Sequence, residues 1–215
     1  TVNNAFMPEA GASQLRFNYD SKGNLFGFYG YSLSNIFQLE LLNIGNFKEI
    51  NSNNKSDLHS TYLSSDNINF RLGGKLLVLS RRKDDLFDVA IRTSVGRNQD
   101  TNQGFLFTEL INTFSFKKWL NLNVNPKYFY SGVESFGGIG ISSILSFSDN
   151  LQLIPELNKP FKDGFSLNST IALRYSYQPN RSIDIYYSNA AGIQDVGQLL
   201  KDNDDRFGIN LNFLF

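Results

Sequence analysis

Apolar and polar residues alternate one by one through most of this chain, and the alternation persists for ten residues or more at a time. In 165–179, Phe165, Leu167, Ile171, Leu173, Tyr175 and Tyr177 fall on one side, with Ser166, Asn168, Thr170, Arg174, Ser176 and Gln178 on the other. A period of two is the mark of a β-strand with one apolar and one polar face. Segment 86–98 repeats it, with Phe87, Val89, Ile91 and Val95 opposite Asp88, Arg92 and Ser94. Segment 67–80 sets Ile68, Phe70, Leu72, Leu76 and Val78 against Asn69, Arg71 and Lys75. Segment 104–116 is apolar on both sides, Leu106, Leu110, Phe114 and Phe116 against Phe105, Phe107 and Ile111, so its orientation stays open. Almost no helical period is present. Twelve strands are predicted, at 13–20, 24–33, 35–45, 67–80, 86–98, 104–116, 119–132, 135–148, 150–161, 165–179, 182–194 and 206–215.

These strands are long. Strands of soluble proteins average about 5–6 residues, whereas one that crosses a bilayer needs about 9–11. Their connections alternate in character. Ser34, 81–85, Lys117-Lys118, Asp149 and Pro179-Asn180-Arg181 are short turns. The stretches 46–66, 99–103, 132–135, 162–164 and 195–205, with the compact Ser21-Lys22-Gly23, fall at the other strand ends. Short turns on one side, longer loops on the other and an even strand count form the layout of a bacterial transmembrane barrel. The expected fold is therefore all-β: an antiparallel up-and-down transmembrane β-barrel of about 12 strands in one domain, 1–215, with 1–12 as a lead-in. The alternative is a soluble barrel or sandwich, which would carry turn signals every ~8–12 residues.

Composition narrows the function. The 215 residues carry 20 Lys+Arg and 20 Asp+Glu, a formal net charge of zero that argues against nucleic-acid binding. The absence of Cys removes disulfides, thiol nucleophiles and zinc–thiolate sites, and a single His removes a His-rich metal cluster. The longest aliphatic run is Leu76-Leu77-Val78-Leu79, far short of the ~20 apolar residues of a membrane helix. The sequence begins at Thr1 with no Lys/Arg-led apolar leader, and reads as a mature chain or an excised domain.

The last ten residues, Arg206-Phe207-Gly208-Ile209-Asn210-Leu211-Asn212-Phe213-Leu214-Phe215, are the most specific motif. They resemble the terminal assembly signal of bacterial outer-membrane β-barrels: a polar residue, a Gly, two alternating hydrophobic residues and a terminal aromatic. Arg206, Gly208, Leu211, Phe213 and Phe215 stand at those places. The resemblance implies location in the bacterial outer membrane. It also implies contact with outer-membrane lipid and lipopolysaccharide, and pairing of the last strand with the barrel assembly machinery during insertion. A fainter likeness, Met7-Pro8-Glu9-Ala10-Gly11, is to the leading segment of barrels tied to exopolysaccharide export.

A charge facing hydrocarbon costs about 2–4 kcal/mol at mid-depth, so charged strand residues belong inside. Parity assigns Arg16, Glu40, Arg71, Lys75, Asp88, Arg92, Lys127, Glu156, Arg174 and Asp184 to the lumen, with Glu109 beside them. Lys75 is expected near Asp88 and Arg92, and Arg174 near Asp184. Aromatics mark the strand ends: Trp119, Phe116, Phe87, Phe147, Tyr177 and Phe215 at one, and Phe105, Tyr130, Phe136, Phe161, Phe165 and Phe207 at the other. Girdles at both interfaces would look so, although strands favour aromatics in any case.

No catalytic or metal site is predicted, and no cofactor. His59 stands beside Asp57, Ser56 and Ser60 in one polar loop, without the convergence of a nucleophile–base–acid site. Asp195, Asp202, Asp204 and Asp205 read as a solvated loop rather than a Ca²⁺ cage. Segment 190–205 also holds Val196, Leu199 and Leu200, and reads either as a short helix or as a hairpin tip. The function expected is a porin-like narrow channel passing small polar solutes. The alternatives are a closed structural or export-associated barrel and, third, an outer-membrane enzyme. Oligomeric state is left open.

Overall fold

The structure is a computed structural model that describes residues 4–46, 69–81, 87–97, 104–132 and 134–215. Twelve strands close into one barrel in which each pairs antiparallel with its sequence neighbours and β1 with β12. They are β1 Ser13–Asp20, β2 Asn24–Ser34, β3 Phe37–Asn46, β4 Asn69–Leu79, β5 Asp88–Arg97, β6 Gly104–Lys117, β7 Leu120–Ser131, β8 Ser135–Ser146, β9 Leu151–Pro160, β10 Asn168–Gln178, β11 Arg181–Ala190 and β12 Lys201–Leu214. Closure leaves no edge of unpaired amides, which hydrocarbon would not tolerate. It sets Leu15 opposite Phe213, Phe17 opposite Leu211 and Tyr19 opposite Ile209. Ser13 and Phe215 exchange backbone hydrogen bonds of 3.0 and 2.9 Å at the seam.

The outer wall is an apolar belt. Leu72 is 59% exposed, Ile185 58% and Leu173 44%. These positions share the outward parity of their strands, as the alternation requires. Phe116, Trp119, Phe147, Tyr177 and Phe215 ring the short-turn end, and Tyr130, Phe161 and Phe207 the other. Three aromatics expected in that second ring belong to the interior instead. Phe105 and Phe136 are buried inside the barrel and Phe165 packs against their cluster. Phe87 stacks on Phe114 with centroids 4.9 Å apart.

This also resolves β6. Phe105, Phe107, Glu109, Ile111 and Thr113 point inward, while Leu110 and Phe116 point outward. Both faces of β6 are apolar because both have apolar partners: lipid outside, and inside an inserted piece of chain.

That piece is the β11–β12 connection. The sequence suggested a strand to 194 and another from 206, but β11 ends at Ala190 and β12 begins at Lys201. Residues 191–200 between them turn into the lumen around a 3-10 turn, Asp195–Gln198. Ala191, Val196, Leu199 and Leu200 pack on Phe105, Phe107, Phe129 and Phe136. Ile193 joins a second cluster with Phe26, Phe28, Leu42 and Tyr186. Gly138 on β8 makes room, since a Cβ there would lie 2.6 Å from Leu199. From the short-turn end a second insert enters, with Ala5 buried against Ala90 and Ile111.

Candidate functional site

The two inserts and the inward charges define the interior. Asp195 is fully buried, and its Oδ2 accepts from Arg71 at 3.0 Å. Its Oδ1 accepts from Arg92. The Arg92 Nε in turn donates to Glu40 Oε2 at 2.6 Å. One carboxylate on a loop is thus clasped by guanidiniums from β4 and β5. Burial pushes the Asp195 carboxyl up, but Arg92 and Arg71 outweigh it and hold the group below the usual carboxylate range.

A second tie lies beside the clasp. Lys127 Nζ donates to Asn158 Oδ1 and to Gln198 Oε1 of the insert, each at 2.7 Å. It also lies 3.5 Å from Glu109 and 3.8 Å from Glu156. Arg71 further stacks over the Phe105 ring at 4.9 Å. The insert is therefore held by apolar packing together with three cations, Arg71, Arg92 and Lys127.

Toward the short turns, Arg174 makes a bidentate pair with Asp184, 2.6 and 2.9 Å. Lys75 stands opposite Arg92 as expected, but its partner is not Asp88. Its ammonium donates to the carbonyls of Asn4 and Phe6 at 2.7 and 2.6 Å. Asp88 stands at the strand end, half-buried, and accepts from the Arg81 backbone N–H. Ala5 N donates to Thr113 Oγ1 at 2.9 Å, completing the hold on the N-terminal insert. Arg16 lies over the Phe28 ring at 5.2 Å. A cavity of about 280 Å³ opens among Arg16, Phe28, Gln38, Lys75, Arg92 and Gln194.

The residues of the C-terminal motif divide between the two faces. Arg206 is buried and pairs with Asp20 at 3.0 Å. Gly208 faces inward opposite Tyr186, whose hydroxyl accepts from Asn18 Nδ2 at 3.0 Å. Leu211 pairs with Phe17 and Ile183, and Phe213 with Leu15 and Arg181. Phe215 is exposed.

Sequence reasoning missed the role of Asp195, grouping it with its acidic neighbours. It also overlooked Asp20 as the partner of Arg206. The available signal was the apolar company of Asp195: Ala190, Ala191, Val196, Leu199 and Leu200 are out of place in a solvated loop. His59, Asp57, Ser56 and Ser60 lie outside the described residues, as do the side chains of Asp202 and Asp204. Among the described residues no group of three or more His, Cys, Asp or Glu is placed to hold a metal ion.

A closed twelve-stranded antiparallel barrel with an apolar outer belt and a charged interior defines the class: an up-and-down β-barrel with the architecture of a transmembrane barrel. No protein-family model matches the chain, and no curated protein matches it. Solved structures do. The KdgM porin in complex with disordered oligogalacturonate is 9% identical over 95% of this chain and 99% of that one, with a TM-score of 0.68. The COG4313 outer membrane channel from Pseudomonas putida F1 is 10% identical over 100% of both chains, with a TM-score of 0.65. The NanC porin is 11% identical over 94% of this chain and 98% of that one, at 0.60. At such identities the likeness is one of fold.

Proposed function

We propose that this chain is a narrow, passive outer-membrane channel for small polar solutes, resting with its lumen closed by residues 191–200. One observation carries this reading. The lumen carries polar and charged side chains beside its apolar clusters, and what closes it is a connection that contributes no strand and is held by side chains. Such a closure can leave without breaking the sheet. The outer belt serves as the contact with lipid and lipopolysaccharide, and the segment Arg206–Phe215 as the strand presented to the barrel assembly machinery. Passive passage requires no energy source and no reacting group.

A permanently closed structural barrel is the second reading. The apolar packing of Val196, Leu199 and Leu200 on four Phe rings favours it. Planar-bilayer conductance separates the two. Replacing 193–198 by a short Gly/Ser linker should turn a small, flickering current into a larger ohmic one. A silent bilayer for both proteins, with insertion demonstrated, leaves the closed barrel.

A further inference from the structure

Four buried nitrogen donors inside the barrel have no acceptor: Arg16 Nε, Gln38 Nε2, Arg92 Nη2 and Gln194 Nε2. All four side chains line the same cavity of about 280 Å³ at the short-turn end. Gln38, Arg92 and Gln194 are each 2% exposed. Buried polar groups are almost always satisfied, so four donors converging on one space indicate an acceptor that belongs there.

Charge points the same way. Five cations line the cavity, Arg16, Lys75, Arg92, Arg174 and Arg181; Arg92 pairs with Glu40 and Arg174 with Asp184. Lys75 is spent on two backbone carbonyls, which carry no net charge. Arg16 lies over the face of Phe28, with Asp184 and Glu40 acting on it through space. The wall therefore holds an excess of cations over its one lining carboxylate, Glu40, together with four free N–H groups. The space is slightly below the ~300 Å³ lower end of small-molecule pockets, which suits a single compact molecule.

We infer that this cavity is a binding site for a small hydroxylated carboxylate. The carboxylate lies against Arg16 and the free edge of Arg92, where guanidinium and carboxylate geometries match. Hydroxyl oxygens accept from the amides of Gln38 and Gln194. Because Gln194 belongs to the 191–200 insert, the ligand touches the element that closes the lumen. The inference deepens the channel reading but is tested without current.

The test is calorimetric titration of the detergent-folded full chain with gluconate, sorbitol and sulfate. Gluconate should bind and sorbitol, the same carbon chain without the charge, should not. Arg16→Gln should weaken gluconate about tenfold, the loss expected for one charged hydrogen bond. Gln194→Ala leaves every charge in place and should weaken it about threefold to tenfold. Three results overturn the site: no gluconate binding to folded barrel, sorbitol binding as tightly, or sulfate binding as tightly. If gluconate binds while bilayers containing the opened variant stay silent, the channel reading falls and the site stands.

Discussion

Arg71 and Asp195 meet at 3.0 Å inside the barrel although 124 residues separate them in the chain. Arg71 is fixed on a strand, whereas Asp195 rides on a connection. Their contact therefore reports whether residues 191–200 are seated.

Asp195→Ala should unseat the insert. Removing one partner of a buried ion pair costs about 3–5 kcal/mol, because the remaining charge loses its compensation. Arg92 keeps Glu40, whereas Arg71, which lies over the Phe105 ring, loses the Asp195 carboxylate. The expected result is a conductance well above that of the unaltered protein, together with protease sensitivity near Gln194. Wild-type conductance in the variant would mean that the apolar contacts of Leu199 and Leu200 suffice to hold the closure.

Acid should act on the same contact. The Asp195 carboxyl is held below its ordinary value in the seated state, so seating is favoured fully above the free value of ~3.9 and weakens as pH falls through the lowered one. The groups facing this region are Glu40, through Arg92, and Lys127 with Glu109 and Glu156 beside Gln198. Conductance should stay level from pH 7 down to about 4 and rise below it, and Asp195→Asn should flatten that rise. A rise of equal size in Asp195→Asn would mean that Asp195 is not the group that senses acid.

The architecture was legible because alternation is a property of each strand alone, and closure needs nothing beyond the parity of turns. The interior was legible only where partners face each other across one hairpin, as Arg174 and Asp184 do. Lys75 was assigned to Asp88, but its acceptors are the carbonyls of Asn4 and Phe6, and a carbonyl leaves no mark in a sequence. Phe105 and Phe136 were placed in the outer ring because the 191–200 insert that covers them contacts β6, β7 and β8 from far along the chain. A lumen filled by its own connection makes inward positions look lipid-facing.

Leu173 tests the outer face. It is 44% exposed and pairs with Leu153 and Ile185. Leu173→Arg should lower folding stability in phospholipid vesicles by about 2–4 kcal/mol, read from urea titrations. Stability unchanged within error would mean that this strand face does not meet hydrocarbon.

Ion selectivity should follow the unmatched cations. In a variant opened by replacing 193–198, Arg16→Glu should move the reversal potential in a salt gradient toward cations. The paired substitution Arg174→Gln/Asp184→Asn removes two opposite charges at once and should move it little. Equal shifts would show that ion pairing does not mask charge in this lumen.

The glycine of the C-terminal motif carries a packing demand that can be separated from recognition. Gly208 lies directly opposite Tyr186, and a Cβ at 208 would overlap the Tyr186 ring and hydroxyl. The Tyr186 ring lies across the glycine, and its hydroxyl reaches Asn18 on β1, so three strands meet at this point. Gly208→Ala should therefore cost about 1–3 kcal/mol by overpacking. Tyr186→Ala alone should also destabilise, by opening a cavity. The double variant is decisive. If the glycine is needed to admit the tyrosine ring, Gly208→Ala/Tyr186→Ala should be no less stable than Tyr186→Ala, so the two losses fail to add. If the glycine is needed chiefly for contact with the assembly machinery, refolding of Gly208→Ala into vesicles should match the parent while assembly in cells falls. Parallel measurement of vesicle refolding and of membrane-inserted protein in cells distinguishes these outcomes, and additive losses in vesicles would refute the packing account.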